Sequence, residues 1–251
     1  MAKAVPETMY NLLIALAVGL AVAVAVLLAH LPWYAALVPG FLAFAGAFLL
    51  LARRVGQKVK AIMDQAQKEL SVQPSSPRER QQRIDKGVKT LESALVWDKW
   101  QPFIGGEIHA QIGMVQYMVK DYAQAEPHLR KAGPRNGLAL ALLAALHYQR
   151  KEYAEMERAF EGAVKGQKKE GVLWAAYAWC LLQHKEKDKA LQVMNRAVVA
   201  NPSDEKLKAG LVALQNDKKL KMKAWEPLWW QFGLETPQEM MGGRQVRFQR
   251  H

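Results

Sequence analysis

Along the 251-residue chain the apolar positions first run together, then thin to a stripe, then recur in paired helical patterns. Met9 to His30 holds no acidic or basic side chain apart from its final histidine and is almost wholly Leu, Ala and Val. Pro39 to Ala52, extended backward by Ala35 to Val38, forms a second apolar run. A helix that crosses bilayer hydrocarbon needs roughly 20 such residues, and each run is close to that length. The pattern therefore predicts a transmembrane helical hairpin over residues 1–52, with helices at about 9–30 and 35–52 joined by Leu31-Pro-Trp-Tyr34. The first run exceeds the roughly 7–15 residues of a cleaved signal core, and Lys3 is the one basic residue before it, so it reads as a retained span.

Beyond Ala52 the period changes. Val55, Val59, Ile62, Ala66 and Leu70 recur at spacings of three and four, which predicts a basic juxtamembrane helix over 53–70 continuing the second span. Prolines and serines in Ser71-Val-Gln-Pro-Ser-Ser-Pro77 break it, giving a linker over 71–80. The remainder is helical by pattern, with breaks expected at Gly105-Gly106 (an inter-helix turn), Gly133-Pro134, Gly171 and Pro202. The fold class is all-α.

Within that helical part Tyr117-Met-Val-Lys-Asp-Tyr-Ala123 returns as Tyr148-Gln-Arg-Lys-Glu-Tyr-Ala154, about 31 residues later, a period that marks stacked helix pairs. A third unit carries Trp174, Tyr177, Ala178 and Leu181, then Ala190, Met194, Ala197 and Pro202. The second carries Leu140, Leu143, Ala144 and His147, then Met156, Phe160 and Ala163; the first His109, Ile112, Gly113 and Gln116, then Ala125, Leu129 and Ala132. On these residues the stretch 105–204 resembles the tetratricopeptide repeat (TPR) family, whose pattern is W-x2-L-G-x2-Y, A-x3-F and P. It departs from that pattern at His109, where the family favours Trp, and at His147, where it favours Tyr; the third unit alone keeps the closing proline.

The resemblance implies a short TPR-like α-solenoid with repeats at about 106–136, 137–170 and 171–204, inside a domain over 81–232. Cap helices are expected at Ile84 to Val96 and Asp204 to Asn216. It also implies a concave groove lined by the first helix of each pair: Met114, Tyr117 and Met118, then Ala141, Ala145 and Tyr148, then Ala175, Trp179 and Leu182. Met114, Tyr117, Met118, Tyr148, Trp179 and Leu182 are the candidate partner-binding residues. This apolar, aromatic register lacks the Lys, Arg and Asn set of the members that clamp chaperone tails, and suits an apolar helix face or a segment with bulky anchors. Tyr122 and Tyr153 recur equally well and are expected to pack between helices.

Trp225, Trp229, Trp230 and Phe232 crowd around Pro227. Three readings compete for them: a cap on the last pair, a segment folded back into the groove, or a contact with the membrane interface. The basic tail over 233–251 alternates Arg244, Val246, Phe248 and Arg250 after Gly242-Gly243; it reads as an added strand on a partner, a lipid-binding tail, or a disordered chain end.

Charge sets the orientation. The formal net charge is +12, and Lys3 and Glu7 cancel ahead of the first span, so the excess lies after the second. Arg53, Arg54, Lys58 and Lys60 follow the second span at once, whereas the connecting turn has no basic residue. Both termini are therefore expected on the cytoplasmic side, with Trp33 and Tyr34 at the outer interface. The four basic residues are the candidate membrane-surface contacts, each gaining roughly 1 kcal/mol near anionic lipid head groups. No helix-turn-helix, finger or RNA-binding signature accompanies the charge, which argues against nucleic acid.

Small residues form stripes at Ala15, Gly19 and Ala23 and at Ala36, Gly40 and Ala43, which either pack the hairpin on itself or join copies in the membrane. No charge lies between Met9 and Ala52, which leaves a proton or transport path without support. Cys180, the single cysteine, reads as a small core residue. With no HExxH pair, no zinc-type Cys/His cluster, no P-loop and no G-x-G-x-x-G, the sequence points away from an enzyme and implies no cofactor or metal. The expected protein is a two-span protein of a bacterial inner membrane, a location inferred from its Ala-rich composition and compact anchor. It would hold a cytoplasmic TPR adaptor that binds a protein or peptide or organises a membrane complex. The alternative is a structural protein that self-assembles through the membrane hairpin, Gly19 and Gly40 included, and through the ends of the TPR array, without a groove ligand.

Overall fold

A computed structural model describes residues 9–30 and 32–235. Lys3, Glu7, Leu31 of the connecting turn and the tail residues Gly242, Gly243, Arg244, Val246, Phe248 and Arg250 lie outside that range. The described residues form ten α-helices and no strand. They divide into two compact units, 1–112 and 113–251, so the boundary falls inside the fourth helix instead of in the proline-serine break at 71–77.

In the first unit, α1 (Tyr10–Leu28) and α2 (Trp33–Ser71) pack as an antiparallel hairpin. Both are long and apolar enough to cross a membrane. Their small residues face each other. A Cβ added to Gly19 would lie 2.8 Å from the Gly40 carbonyl oxygen and from Phe44 Cβ, and one on Gly40 would lie 3.1 Å from Ala23 Cβ. Gly19 and Gly40 thus serve close contact within the hairpin.

The second helix runs 39 residues without interruption, roughly 58 Å at 1.5 Å per residue. Its far half carries the Val55, Val59, Ala66 stripe, which is buried. The cover is α3 (Pro77–Ser93), started by Ser76, whose Oγ accepts from the Glu79 N–H. Gly87 lets α3 approach closely enough that a Cβ there would sit 2.8 Å from Leu70 Cδ2, and Lys86 pairs with Glu69 at 2.6 Å. A 3-10 turn, Ala94–Trp97, then packs on both α2 and α3. Packing explains why the break at 71–77 does not divide the chain: the stripe on α2 needs an apolar cover, and the chain doubles back to supply it. Gly105 and Gly106 also depart from expectation. They lie inside α4 (Ile104–Met118), and the Asp98 carboxylate occupies the space a Gly105 Cβ would need.

The second unit repeats a hairpin of two α-helices. The end of α4 is followed by α5 (Tyr122–Lys131), then α6 (Gly137–Gln149) with α7 (Tyr153–Gly166), α8 (Gly171–Gln183) with α9 (Lys187–Ala200), and α10 (Glu205–Gln215). The turn is the same each time. Lys120, Lys151, Lys185 and Asp217 take left-handed φ values of 64°, 63°, 65° and 55°. The next N–H reaches back to the carbonyls of Gln116, His147, Leu181 and Ala213 at 2.8–2.9 Å, closing a Schellman motif at each helix end. Asp121 and Asp204 cap the following helices through their side chains.

Between the helices the core is apolar and tight. Leu129, Met156, Phe160 and Met194 are fully buried, and Phe160 stacks on Tyr177 with ring centres 5.1 Å apart. Gly113 admits Leu129, whose side chain would lie 2.8 Å from an added Cβ. Ala144 and Ala178 are fully buried at the matching positions. Cys180 is buried as well, which pushes its thiol pKa up.

Candidate functional site

The repeated turn brings one aromatic side chain per hairpin onto the first-helix face of the second unit. Tyr117 closes α4, Tyr148 closes α6 and Trp179 lies near the end of α8. Each meets the ring five residues further on or the next first helix. Tyr117 and Tyr122 lie 5.1 Å apart, Tyr148 and Tyr153 6.4 Å, and Tyr148 and Trp179 5.8 Å, while Tyr153 stacks on His184 at 3.6 Å. Tyr122 and Tyr153 thus pack against neighbouring rings.

The face is already occupied. The 3-10 turn Leu228–Phe232 packs on α6 and α8. Trp229 meets the Trp179 ring edge-on at 5.2 Å, and the Tyr117 hydroxyl donates to the Phe232 carbonyl at 2.7 Å. Trp229 and Phe232 are 1% and 0% exposed, leaving Tyr117 at 2% and Trp179 at 7%. Burial raises the Tyr117 pKa above its ordinary value, since ionisation would strand a charge beneath the segment. Tyr148 is half-buried and its pKa is likewise raised, by burial first.

Trp225 does a second job one turn earlier. It is buried against α8 and α10, 3.4 Å from the Cβ position of Gly171 and 3.6 Å from that of Gly210. Trp225 therefore caps the last hairpin while Trp229 and Phe232 cover Trp179 and Tyr117, and burial takes Trp229 and Phe232 away from any membrane interface.

The six candidate groove residues separate accordingly. Tyr117 and Trp179 lie under the chain's own segment, as in the reading that folds the 225–232 stretch back over them. The cover is distant in sequence, Phe232 lying 115 residues beyond Tyr117. Met114, Tyr148 and Leu182 are half-buried, and Met118 is 54% exposed. What stays open is a cleft of about 630 Å³ at the end of this face, lined by Trp179, Leu182, Lys187, Lys218, Leu220 and Leu234. Lys187 pairs with Asp217 on its wall. Lys218 and Leu220 were not singled out from sequence; the signal was the lysine-rich run Lys218-Lys-Leu-Lys-Met-Lys223 directly after α10.

His147, the departure from the family pattern, is 1% exposed, and its Nδ1 lies 2.5 Å from Glu152 Oε2 across the turn. Among the described residues no group of three or more His, Cys, Asp or Glu side chains converges as a metal site would require. In the first unit Arg53, Arg54, Lys58 and Lys60 are all exposed, and Lys58 Nζ lies 4.7 Å over the Trp97 ring.

No protein-family model matches this sequence, and no curated protein matches it either.

Proposed function

We propose that the protein is a membrane-anchored adaptor. In this reading α1 and the first half of α2 span a bilayer, the repeated hairpins form a TPR-like solenoid on the cytoplasmic side, and a partner protein docks a short segment on the solenoid. The observation that carries it is the cleft at Leu182. It combines apolar walls with a lysine rim, on the face where TPR-like arrays receive peptides. The anchor is supported by apolar side chains that no protein covers: Leu20, Leu28 and Leu42 are 67%, 76% and 64% exposed, a poor arrangement in water and an ordinary one in lipid.

The Trp229 segment is an integral part of this platform, so the partner segment engages the remaining cleft and not the full aromatic face. It carries a bulky apolar anchor for the Trp179–Leu182 wall. Removing Tyr148 or Trp179 would unseat Trp229 as well, so those residues make poor probes. The test uses the intact protein in its native membranes, with Leu182→Glu beside wild type and a photo-crosslinker at Gln183, an exposed cleft residue. The expected outcome is one partner crosslinked from position 183 and lost in Leu182→Glu while helicity is unchanged. Recovery of the same proteins with both forms, and no crosslink, would end the adaptor reading.

A further inference from the structure

We propose that residues 96–103, between α3 and α4, form a third membrane-contacting element, seated in the head-group layer of the bilayer that holds α1 and α2. The inference rests on the membrane reading of that hairpin. It adds a segment that hydropathy does not reveal, because the stretch is short and interrupted by Asp98 and Lys99.

Hydrogen bonds fix the depth of this segment. The Tyr10 N–H donates to the Lys99 carbonyl at 3.1 Å and the Asn11 N–H to the Trp100 carbonyl at 3.2 Å. The loop thus caps the first turn of α1 and shares its level. The 19 residues of α1 rise about 28 Å, close to the roughly 30 Å of bilayer hydrocarbon. Trp33 and Tyr34, 70% and 63% exposed, begin α2 beside the other end of α1. Tyr10 and Trp100, 5.4 Å apart, therefore sit where a second aromatic girdle belongs.

The chemistry of the segment fits that layer. Trp97 lies 5.7 Å from Trp100 and under the Lys58 ammonium, which joins an amphipathic ring to a basic side chain. Val96 and Phe103 are 66% and 55% exposed, presenting apolar surface beside the girdle. Asn11 is fully buried at the same junction, and neither atom of its carboxamide has a hydrogen-bond partner. The apolar stripe of α2 is sealed by α3, so it competes with this segment for no lipid.

The experiment places single cysteines in a Cys180→Ala background of the full chain, labels each with an environment-sensitive fluorophore, and reconstitutes the protein into vesicles of phosphatidylcholine and phosphatidylglycerol. Val96→Cys reports the segment, Leu42→Cys the exposed face of α2, and Ser75→Cys the exposed break before α3. Nitroxide lipids labelled at the head group or deep in the acyl chain serve as quenchers. The expected result is Leu42 quenched by the deep label, Val96 by the head-group label with a blue-shifted emission, and Ser75 by neither. A Val96 probe that behaves like Ser75 while Leu42 is quenched overturns the interfacial segment and leaves the hairpin reading standing. A Leu42 probe that behaves like Ser75 overturns both.

Discussion

Helices α1 and α8 are built from nearly the same residue types and end in opposite surroundings. In α1, 19 residues long, only Asn11, Ala15 and Gly19 are buried. In α8, 13 residues long, every position from Val172 to Leu181 is buried. Apolar composition alone therefore does not say whether a helix belongs to a core. Length and neighbours do: α8 is too short to span hydrocarbon and is flanked by amphipathic helices that cover it, whereas α1 is covered on one narrow stripe. Cohesion differs too. The second unit is held by interlocking large side chains, and the hairpin of the first by backbones that approach where side chains are smallest.

The largest expected break in this contrast is Phe160→Ala. The ring is fully buried and stacked on Tyr177, so its loss should cost about 3–5 kcal/mol. Unfolding of the intact protein in detergent, followed by circular dichroism and denaturant titration, would register it as a collapse of the repeat transition. The same truncation at Leu20, on the outer face of α1, should leave that transition unmoved. Comparable losses at both sites would mean that α1 is packed as a core helix.

Next in size is Gly19→Leu. With the Gly40 carbonyl and Phe44 already 2.8 Å from a bare Cβ, the helices must separate, at a cost of about 1–3 kcal/mol. Gly46→Leu is the matched control, because nothing lies within 4 Å of its Cβ position. Thermal stability of the detergent-solubilised chain should fall for the first substitution and hold for the second. Equal effects would show that close backbone approach does not hold the hairpin.

The smallest is Tyr117→Phe, which removes the hydroxyl donated to the Phe232 carbonyl and should cost about 1 kcal/mol. Faster amide hydrogen exchange over residues 228–235, with the rest of the second unit unchanged, would identify it. The pH dependence has a definite sign. The folded-state pKa of Tyr117 is raised above 10.0 by burial, so the unfolded chain gives up this proton first. Its contribution is complete below about pH 10 and is lost as pH climbs through the folded value. Denaturant stability measured across that range should fall less steeply for Tyr117→Phe than for wild type, and parallel curves would place the hydroxyl outside the buried contact.

Several features were legible in the residues. The two apolar runs become long helices, and the regular elements among the described residues are all helices. Ser76, Asp121 and Asp204 begin helices as side-chain caps should. Other features were misread for identifiable reasons. Gly105 and Gly106 looked like a turn, because glycine signals a break until one knows that Asp98 presses against the helix there. Four aromatics crowded around Pro227 mark Trp225 to Phe232 in the sequence, whereas Trp97 and Trp100 are separated by Asp98 and Lys99 and gain their setting beside α1 and α2 from the fold.

By itself the sequence determined what depends on near neighbours: the two long apolar helices, most of the breaks, the turn repeated at Lys120 and Lys151, and the apolar stripe of the amphipathic helices. These follow from backbone sterics, caps and the 3.6-residue period, all of which act within a few positions. Tertiary structure alone decided which apolar surfaces meet. That Phe232 would lie on Tyr117, that α3 would cover the stripe of α2, and that Lys99 and Trp100 would cap α1 are choices among many apolar or hydrogen-bonding partners of similar worth. The hydrophobic effect has no direction and names no partner, so those choices belong to the packing of the whole chain.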